Sequence, residues 1–170
     1  MNNFKLQKGF TLIEMIIVVG IIAILSVGVL TVLNPAAQFS KAGNAKRKSD
    51  LSQIQKALES YYADRGRYPP NPLASDYRIR GLDGNPVNWG SSWQPFMNVL
   101  PKDSLPKTYA YYVSPDGQAY WLYASLDRSG SDPQSCNNGN ACGSLASQGI
   151  APSICGAICN FGVSSPNVSP

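Results

Sequence analysis

The chain has 170 residues, which is enough for one modest domain and an appendage. It carries 14 basic and 10 acidic residues, and the resulting formal charge of +4 is too small to indicate nucleic-acid binding by itself. The absence of histidine removes the commonest general base and the commonest metal ligand, which argues against a catalytic role.

The first predicted elements are a short basic segment and a long apolar one. Residues 1–9 include Lys5 and Lys8, whereas residues 10–34 contain a single charged residue, Glu14. An uncharged apolar helix of this length can cross the hydrocarbon core of a bilayer, which is about 30 Å thick. A removable secretory signal has a shorter apolar region and ends in a small-residue cleavage site. We therefore predict a retained membrane span over residues 10–34.

The helix is predicted to continue beyond this span, with an amphipathic second part over residues 35–64. Its apolar stripe consists of Leu51, Ile54, Leu58 and Tyr61, which recur at three- and four-residue spacing. Gly66 and then Pro69–Pro70 end the helix. The pair Asn34–Pro35 predicts a kink or a short unwound stretch, because proline lacks a backbone N–H and disfavours helical geometry at the preceding residue.

The rest of the chain, residues 65–170, is predicted to form a globular head. Residues 67–106 are irregular and contain three large aromatic side chains to bury, Trp89, Trp93 and Phe96. An antiparallel hairpin is predicted from residues 108–113 and 118–126, since both runs are rich in strand-forming residues and a Ser-Pro-Asp-Gly turn separates them. The predicted fold class is therefore α+β: a long N-terminal helix packed on a small antiparallel sheet, with an irregular C-terminal tail.

The tail, residues 133–170, contains no charged residue and holds all four cysteines, Cys136, Cys142, Cys155 and Cys159. An even number of cysteines in a loop-rich segment indicates disulfide bonds and an oxidising compartment. A zinc site is the alternative, but the spacings C-x5-C and C-x3-C differ from the usual C-x2-C pairs. The Asn-rich turn between the first two cysteines favours pairing each cysteine with its nearest neighbour; the crossed and nested pairings stay open.

A specific motif lies at the junction of the basic and apolar segments. The run KGFTLIEMIIVV, residues 8–19, resembles the leader and N-terminal signature of type IV prepilins and type II secretion pseudopilins. Residues 57–69 resemble the end of the long helix in that family, and residues 109–122 resemble its sheet. The resemblance is strong over residues 5–69, moderate over residues 107–127 and absent in the tail.

This resemblance implies a processing site and an assembly residue. In the family, a prepilin peptidase cleaves after the glycine on the cytoplasmic face and methylates the new terminal amine. Here that implies cleavage between Gly9 and Phe10, removal of the leader 1–9, and N-methylation of Phe10. Glu14 then corresponds to the acidic fifth residue of the mature chain, which neutralises the terminal amine of a neighbouring subunit. The alternative is that Glu14 only favours the start of its own helix.

The function implied by the resemblance is structural, without catalytic residues. The chain is expected to be a subunit of a type IV pilus-like filament, with a major pseudopilin of a type II secretion system or a minor tip, adhesive or DNA-binding pilin as alternatives. A membrane-anchored enzyme or binding module is the alternative from another class. Expected partners are further copies, minor pilins, prepilin peptidase, and an inner-membrane assembly platform with its ATPase; nucleic acid is not expected. The chain would cross the inner membrane once, N-terminus in the cytoplasm, before joining a periplasmic or extracellular filament.

A basic cluster follows the predicted span. It consists of Lys41, Lys46, Arg47 and Lys48. A count of positive charges on the two sides of the span opposes the orientation that the cleavage motif requires. We keep the orientation of the cleavage motif, because the cysteine-containing tail has to lie outside the cytoplasm and the motif inside it. The cluster is then interpreted as a solvated helix face or a contact between neighbouring subunits, with nucleic-acid binding as the less favoured alternative.

A polar loop after the hairpin is the candidate metal site. The resemblance to major pseudopilins implies calcium near this point, and the available oxygens belong to Asp127, Ser129, Ser131 and Asp132. The favoured interpretation is an ordinary polar turn, since the loop has no complete EF-hand pattern and few acids. No other cofactor is expected.

Overall fold

The structure is a computed structural model that describes residues 9–71 and 76–170; for residues 27–33 it describes the backbone alone. The chain forms two compact units, residues 1–39 and residues 40–170. The predicted leader lies outside the described residues, apart from Gly9.

The first helix, α1, extends over Leu12–Leu33, and the second helix, α2, extends over Pro35–Arg65. Asn34 between them has a left-handed backbone, with φ 39° and ψ 75°, so the predicted interruption at this position is confirmed. Proline suits the first position of α2 because a backbone N–H there would lack a helical partner. The Asn34 side-chain oxygen accepts a hydrogen bond of 3.3 Å from the Ala37 N–H and so caps the new helix.

The apolar side chains of α1 are exposed within their own unit, for example Leu12 and Ile24 at 79% and 76%. Among the helices in the described residues, none offers an apolar stretch of the length that a membrane crossing requires. The side chains of residues 27–33, which belong to the predicted span 10–34, lie outside the described part of the chain, so that span stays a prediction.

The predicted stripe of α2 is buried, with Leu51, Ile54 and Leu58 fully inaccessible to solvent. The helix ends one residue later than predicted, at Arg65, and Gly66 follows with φ +70°, the left-handed conformation that glycine adopts at helix ends. The Gly66 N–H donates a hydrogen bond of 2.8 Å to the Tyr62 carbonyl, which satisfies an acceptor in the last turn.

The sheet has three antiparallel strands in the order β1-β2-β3: β1 Ala110–Val113, β2 Tyr120–Ala124 and β3 Phe161–Ser164. The hairpin of β1 and β2 was predicted, with strands longer than those observed, and Tyr111 pairs with Leu122 in its register. The third strand comes from the tail, which we had predicted to be irregular. The tail also forms a short helix, α3, over Gly143–Ser147.

The sheet is covered on both sides. On the helix side, Tyr111, Tyr120 and Leu122 share one buried cluster with the stripe of α2 and with Trp93, one of the aromatic residues expected to be buried. On the tail side, the other buried cluster contains the sheet residues Ala110 and Tyr123 together with Cys142, Leu145, Ile150, Cys155 and Cys159. Trp89 and Phe96 are partly buried against the helix-side cluster. These features confirm the α+β fold class.

Candidate functional site

The predicted cleavage site lies immediately before α1, in exposed backbone outside any helix or strand. Phe10 is 79% exposed, and a side chain added at Gly9 would contact no atom within 4 Å of its Cβ. Among the residues that the structure describes, no steric limit therefore explains a glycine at position 9.

Glu14 forms a capping box with Thr11 at the start of α1. The Glu14 N–H donates to Thr11 Oγ1 at 3.2 Å, while the Thr11 N–H and hydroxyl donate to Glu14 Oε2 at 3.0 and 2.9 Å. These bonds satisfy two backbone donors that the first helical turn leaves without partners. Within the described residues, no hydrogen bond reaches Glu14 Oε1, so this oxygen can still accept one.

The role of Thr11 was missed in the sequence, although the pattern T-L-I-E over residues 11–14 has the threonine and the glutamate at capping-box spacing. The structure therefore gives Glu14 a local function at its own helix start. The assembly role stays a proposal.

The basic cluster is only partly the solvated helix face that we predicted: Lys41 and Lys46 are exposed, whereas Arg47 is buried and Lys48 is partly buried. The Arg47 side chain is only 7% exposed, and its guanidinium binds two carboxylates of the head, Asp103 and Asp127, both at 2.7 Å. Lys46 binds Asp50 at 2.6 Å, one turn along the same helix, and Lys48 binds Asp132 at 2.7 Å. Within this cluster, the ion pairs of Arg47 and Lys48 join α2 to the loops of its own head.

The buried charges of this network are well compensated. Burial lowers the pKa of Arg47, but the hydrogen bonds from its guanidinium to Asp103 and Asp127 outweigh burial and raise the pKa above its usual value. Burial likewise raises the pKa of Asp127, and the hydrogen bonds donated by Lys107 and Arg47 more than offset it, so that pKa is lowered. A buried charge without such partners would cost several kcal/mol, about 3–5 on the evidence of broken pairs.

The side chains of the candidate calcium loop already take part in other hydrogen bonds. Asp127 accepts from Arg47 and Lys107, and Asp132 accepts from Lys48 through both carboxylate oxygens. The Ser129 hydroxyl donates to the Gly139 carbonyl at 3.0 Å, and the Ser131 hydroxyl donates to the Arg128 carbonyl at 2.9 Å.

Over residues 9–71 and 76–170, no group of three or more acidic, cysteine or histidine side chains is placed to hold a metal ion. Calcium requires six to eight oxygen ligands. Both carboxylates of the loop already bind basic side chains, so the loop as folded does not fit a calcium site.

The tail contains two disulfide bonds, Cys136–Cys142 and Cys155–Cys159, and no cysteine of the described chain is free. This is the pairing that the Asn-rich turn favours, and it leaves no thiolate for a zinc ion. Three of the four residues, Cys142, Cys155 and Cys159, are buried in the tail-side cluster. The disulfides thus fix the segment that covers one side of the sheet.

Comparison with known proteins relates these features to a family. Residues 4–30 match the family described as the prokaryotic N-terminal methylation motif, and residues 34–142 match the family described as type II secretion system protein G. The second match begins at the interruption between α1 and α2 and ends at Cys142, so most of the tail lies beyond it.

Several curated proteins are similar to the chain, each named type II secretion system core protein G. The protein from Pseudomonas aeruginosa (strain PAO1) is 31% identical over 134 residues, covering 78% of this chain and 91% of that protein. The protein from Escherichia coli (strain K12) is 31% identical over 119 residues, covering 70% and 81%. The protein from Aeromonas hydrophila is 40% identical over 103 residues, covering 61% and 71%.

No solved structure matches the chain. The family assignment therefore depends on sequence alone, and two parts of the molecule agree on it. The N-terminal motif surrounds the exposed Gly9–Phe10 bond and the capping box, and the second match includes α2, the hairpin and the first disulfide. The chain belongs to the type II secretion system protein G family, and with it to the pilin and pseudopilin proteins that the N-terminal methylation motif marks.

Proposed function

We propose that the mature chain is the repeating subunit of a type II secretion pseudopilus, a filament built by packing the N-terminal helices of many copies. The observation that carries this proposal is the match of residues 34–142 to the protein G family, in a chain that also has the N-terminal methylation motif. The same packing of N-terminal helices would also build a type IV pilus, whose subunits are similar to those of the pseudopilus.

Processing comes first in this proposal. Prepilin peptidase removes residues 1–9 and methylates the new amine of Phe10. The exposure of Phe10 and the position of the bond outside any helix or strand support access of a peptidase to this bond. Since a side chain at position 9 would contact none of the described residues, the proposal explains the glycine by close approach of the peptidase to the backbone.

Glu14 acts next. Its Oε2 is held by Thr11, which fixes the carboxylate at the start of α1, while Oε1 can accept a hydrogen bond from a second molecule. In the filament, the Phe10 amine of an incoming subunit binds that oxygen. A buried ammonium and a buried carboxylate are each costly to desolvate alone, and pairing recovers much of this cost. Capping and assembly are thus two uses of one side chain.

The exposed apolar side chains of α1 support the helix-packing step. Leu12, Met15, Ile16 and Val19 line one groove on this helix. At three- and four-residue spacing they form one face that a neighbouring helix can cover.

Before assembly, the proposal places α1 in the inner membrane with its N-terminus in the cytoplasm and the head in the periplasm. The partners are further copies, minor pseudopilins and an assembly platform with its ATPase.

The test is the mass of the subunit in purified filaments. The expected mass is that of residues 10–170 with one added methyl group, and the chain should be the most abundant protein in the filament. Gly9→Val should leave uncleaved precursor and no filaments, whereas Gly20→Val, the same change within α1, should still be processed. An intact Met1 in the assembled protein would contradict the proposal.

A further inference from the structure

The inference concerns the ammonium group of Lys48, which lies in a pocket of oxygens. Its Nζ donates to Asp132 Oδ1 at 2.8 Å, to Asp132 Oδ2 at 2.7 Å and to Gln134 Oε1 at 2.8 Å. The Nζ also lies 5.6 Å from the centre of the Phe161 ring, which presents the negative face of its π-system to a cation at such distances. The Lys48 side chain is 25% exposed and that of Asp132 is 16% exposed, so water screens this ion pair only partly.

The loop around Asp132 is closed by its own hydrogen bonds. The Gln134 N–H donates to Asp132 Oδ1 at 3.0 Å, and the Ser135 hydroxyl donates to the carbonyls of Ser129 and Asp132 at 2.8 and 2.7 Å. These bonds turn the carboxylate and the Gln134 amide oxygen towards α2. Three side-chain oxygens of the loop thus accept hydrogen bonds from the Lys48 ammonium.

These oxygens form a cation-binding site in which the bound cation is the Lys48 ammonium. An ammonium has three N–H donors, and three oxygen atoms lie within hydrogen-bond distance of Nζ. A calcium ion needs at least six oxygens and would have to displace the ammonium, or share the loop with it against charge repulsion. The second carboxylate of the loop, Asp127, is already bound by Arg47 and Lys107.

We propose that the Lys48 ammonium is the resident cation of this loop and takes the place that calcium is expected to have in related major pseudopilins. The head of this chain then needs no metal ion to fold. The positive charge that joins the loop to α2 is part of the polypeptide, so the stability of the head does not depend on the calcium concentration of its surroundings. This inference stands apart from the proposed filament function.

The first test uses the full chain, purified in detergent, with CaCl₂ as the probe. Isothermal titration calorimetry should show no binding at millimolar calcium, and the melting temperature should be the same in excess CaCl₂ and in excess EGTA. A ligand that binds the folded state raises the melting temperature through mass action. A calcium-dependent rise would overturn the proposal.

The second test removes the ammonium. Lys48→Met keeps the length and apolar stem of the side chain and should lower the melting temperature by about 3–6 °C. Lys56→Met, the same change at an exposed position of α2, should alter it by less than about 2 °C. Lys48→Arg, which keeps the charge, should restore part of the loss. Equal melting temperatures for Lys48→Met and Lys56→Met would overturn the proposal.

A third test, with another pair of variants, applies if Lys48→Met fails to fold. Asp132→Asn keeps the shape of the loop but removes the charge that faces Lys48, and Asp64→Asn makes the same change at an exposed position of α2. The proposal requires a lower melting temperature for Asp132→Asn than for Asp64→Asn, with neither value raised by CaCl₂. No difference between the two variants would contradict it.

Discussion

The two sides of the sheet are stabilised by different means. On the helix side, large side chains of α2 and the sheet interlock, and Tyr68 and Tyr120 meet edge to face with ring centres 4.6 Å apart. On the tail side, smaller residues and two disulfides cover Tyr123, whose hydroxyl bonds to Ser144 and Gln148 at 2.7 and 3.0 Å. Burial of large apolar side chains stabilises one side, and two disulfides and local hydrogen bonds supplement a smaller apolar cluster on the other.

The difference follows the composition of the two segments. Helix α2 supplies a periodic stripe that buries much apolar area along its length. The tail has no such stripe, because glycine, serine and asparagine dominate it, and its α3 has only 5 residues. A segment of this kind gains little from burial and has to be held by cross-links. Substitutions on the two sides should therefore differ in their effect on the free energy of unfolding.

The largest effect is expected from the helix side. Leu58 is fully buried, so Leu58→Ala should leave a cavity and cost about 2–5 kcal/mol of unfolding free energy. Lys56→Ala, at an exposed position of the same helix, is the matched control. Urea unfolding of the full chain measures both. A loss below about 1 kcal/mol for Leu58→Ala would show that the helix side is not closely packed.

Breaking the disulfides should have a smaller and more local effect. The bonds close loops with sequence separations of 6 and 4 residues, for which chain entropy predicts about 2 kcal/mol each. The double substitution Cys155→Ser with Cys159→Ser should lose amide protection in the tail, while α2 keeps its protection, as followed by hydrogen exchange. Equal loss of protection in α2 would show that the two sides unfold as one unit.

Acid should weaken the ion pairs between α2 and the loops. A hydrogen bond from Lys48 lowers the pKa of Asp132 below its usual value, and the pKa of Asp127 is also lowered. Because the folded-state values lie below those of the unfolded chain, this stabilisation is complete above about pH 4 and is lost as the pH falls further. Urea midpoints should therefore fall more steeply in that range for wild type than for Asp132→Asn. Parallel pH profiles would contradict this account.

The smallest effect concerns the capping box. Thr11→Ala removes the side chain that accepts the Glu14 N–H, which should cost α1 about 1 kcal/mol. Hydrogen exchange in detergent should show faster exchange confined to the first turn of α1. The stability of the head should not change, and a fall in its urea midpoint would contradict this assignment.

Elements that depend on local patterning were predictable from the sequence. The periodicity of α2 and the interruption at Asn34–Pro35 are confirmed, and so are the hairpin and the disulfides in the tail. Each of these signals lies within a few residues, where propensity and spacing decide the outcome.

Features that depend on distant partners were missed. Arg47 lies in a lysine-rich run typical of a solvated face, and its partners Asp103 and Asp127 are 56 and 80 residues away. Strand β3 contains glycine and serine, and it is stabilised by pairing with β2. Thr11 is the exception, because its capping partner is only three residues away and the pattern was visible.

The most direct test of the proposed function is a competition between subunits. Wild type is expressed together with Glu14→Val, or with Thr11→Ala as a control. Thr11→Ala removes the hydroxyl from the cap but keeps the Glu14 carboxylate and the hydrogen bond that it accepts from the backbone N–H of residue 11. If Glu14 neutralises the amine of a neighbouring subunit, its loss leaves a buried charge unpaired at a cost of about 3–5 kcal/mol.

Quantitative mass spectrometry of filaments and membranes gives the ratio of variant to wild type in each fraction. We predict that Glu14→Val is cleaved normally, stays in the membrane and is depleted from filaments, whereas Thr11→Ala enters them in nearly the proportion expressed. Equal incorporation of Glu14→Val and wild type would contradict the proposed assembly mechanism and leave helix capping as the function of Glu14.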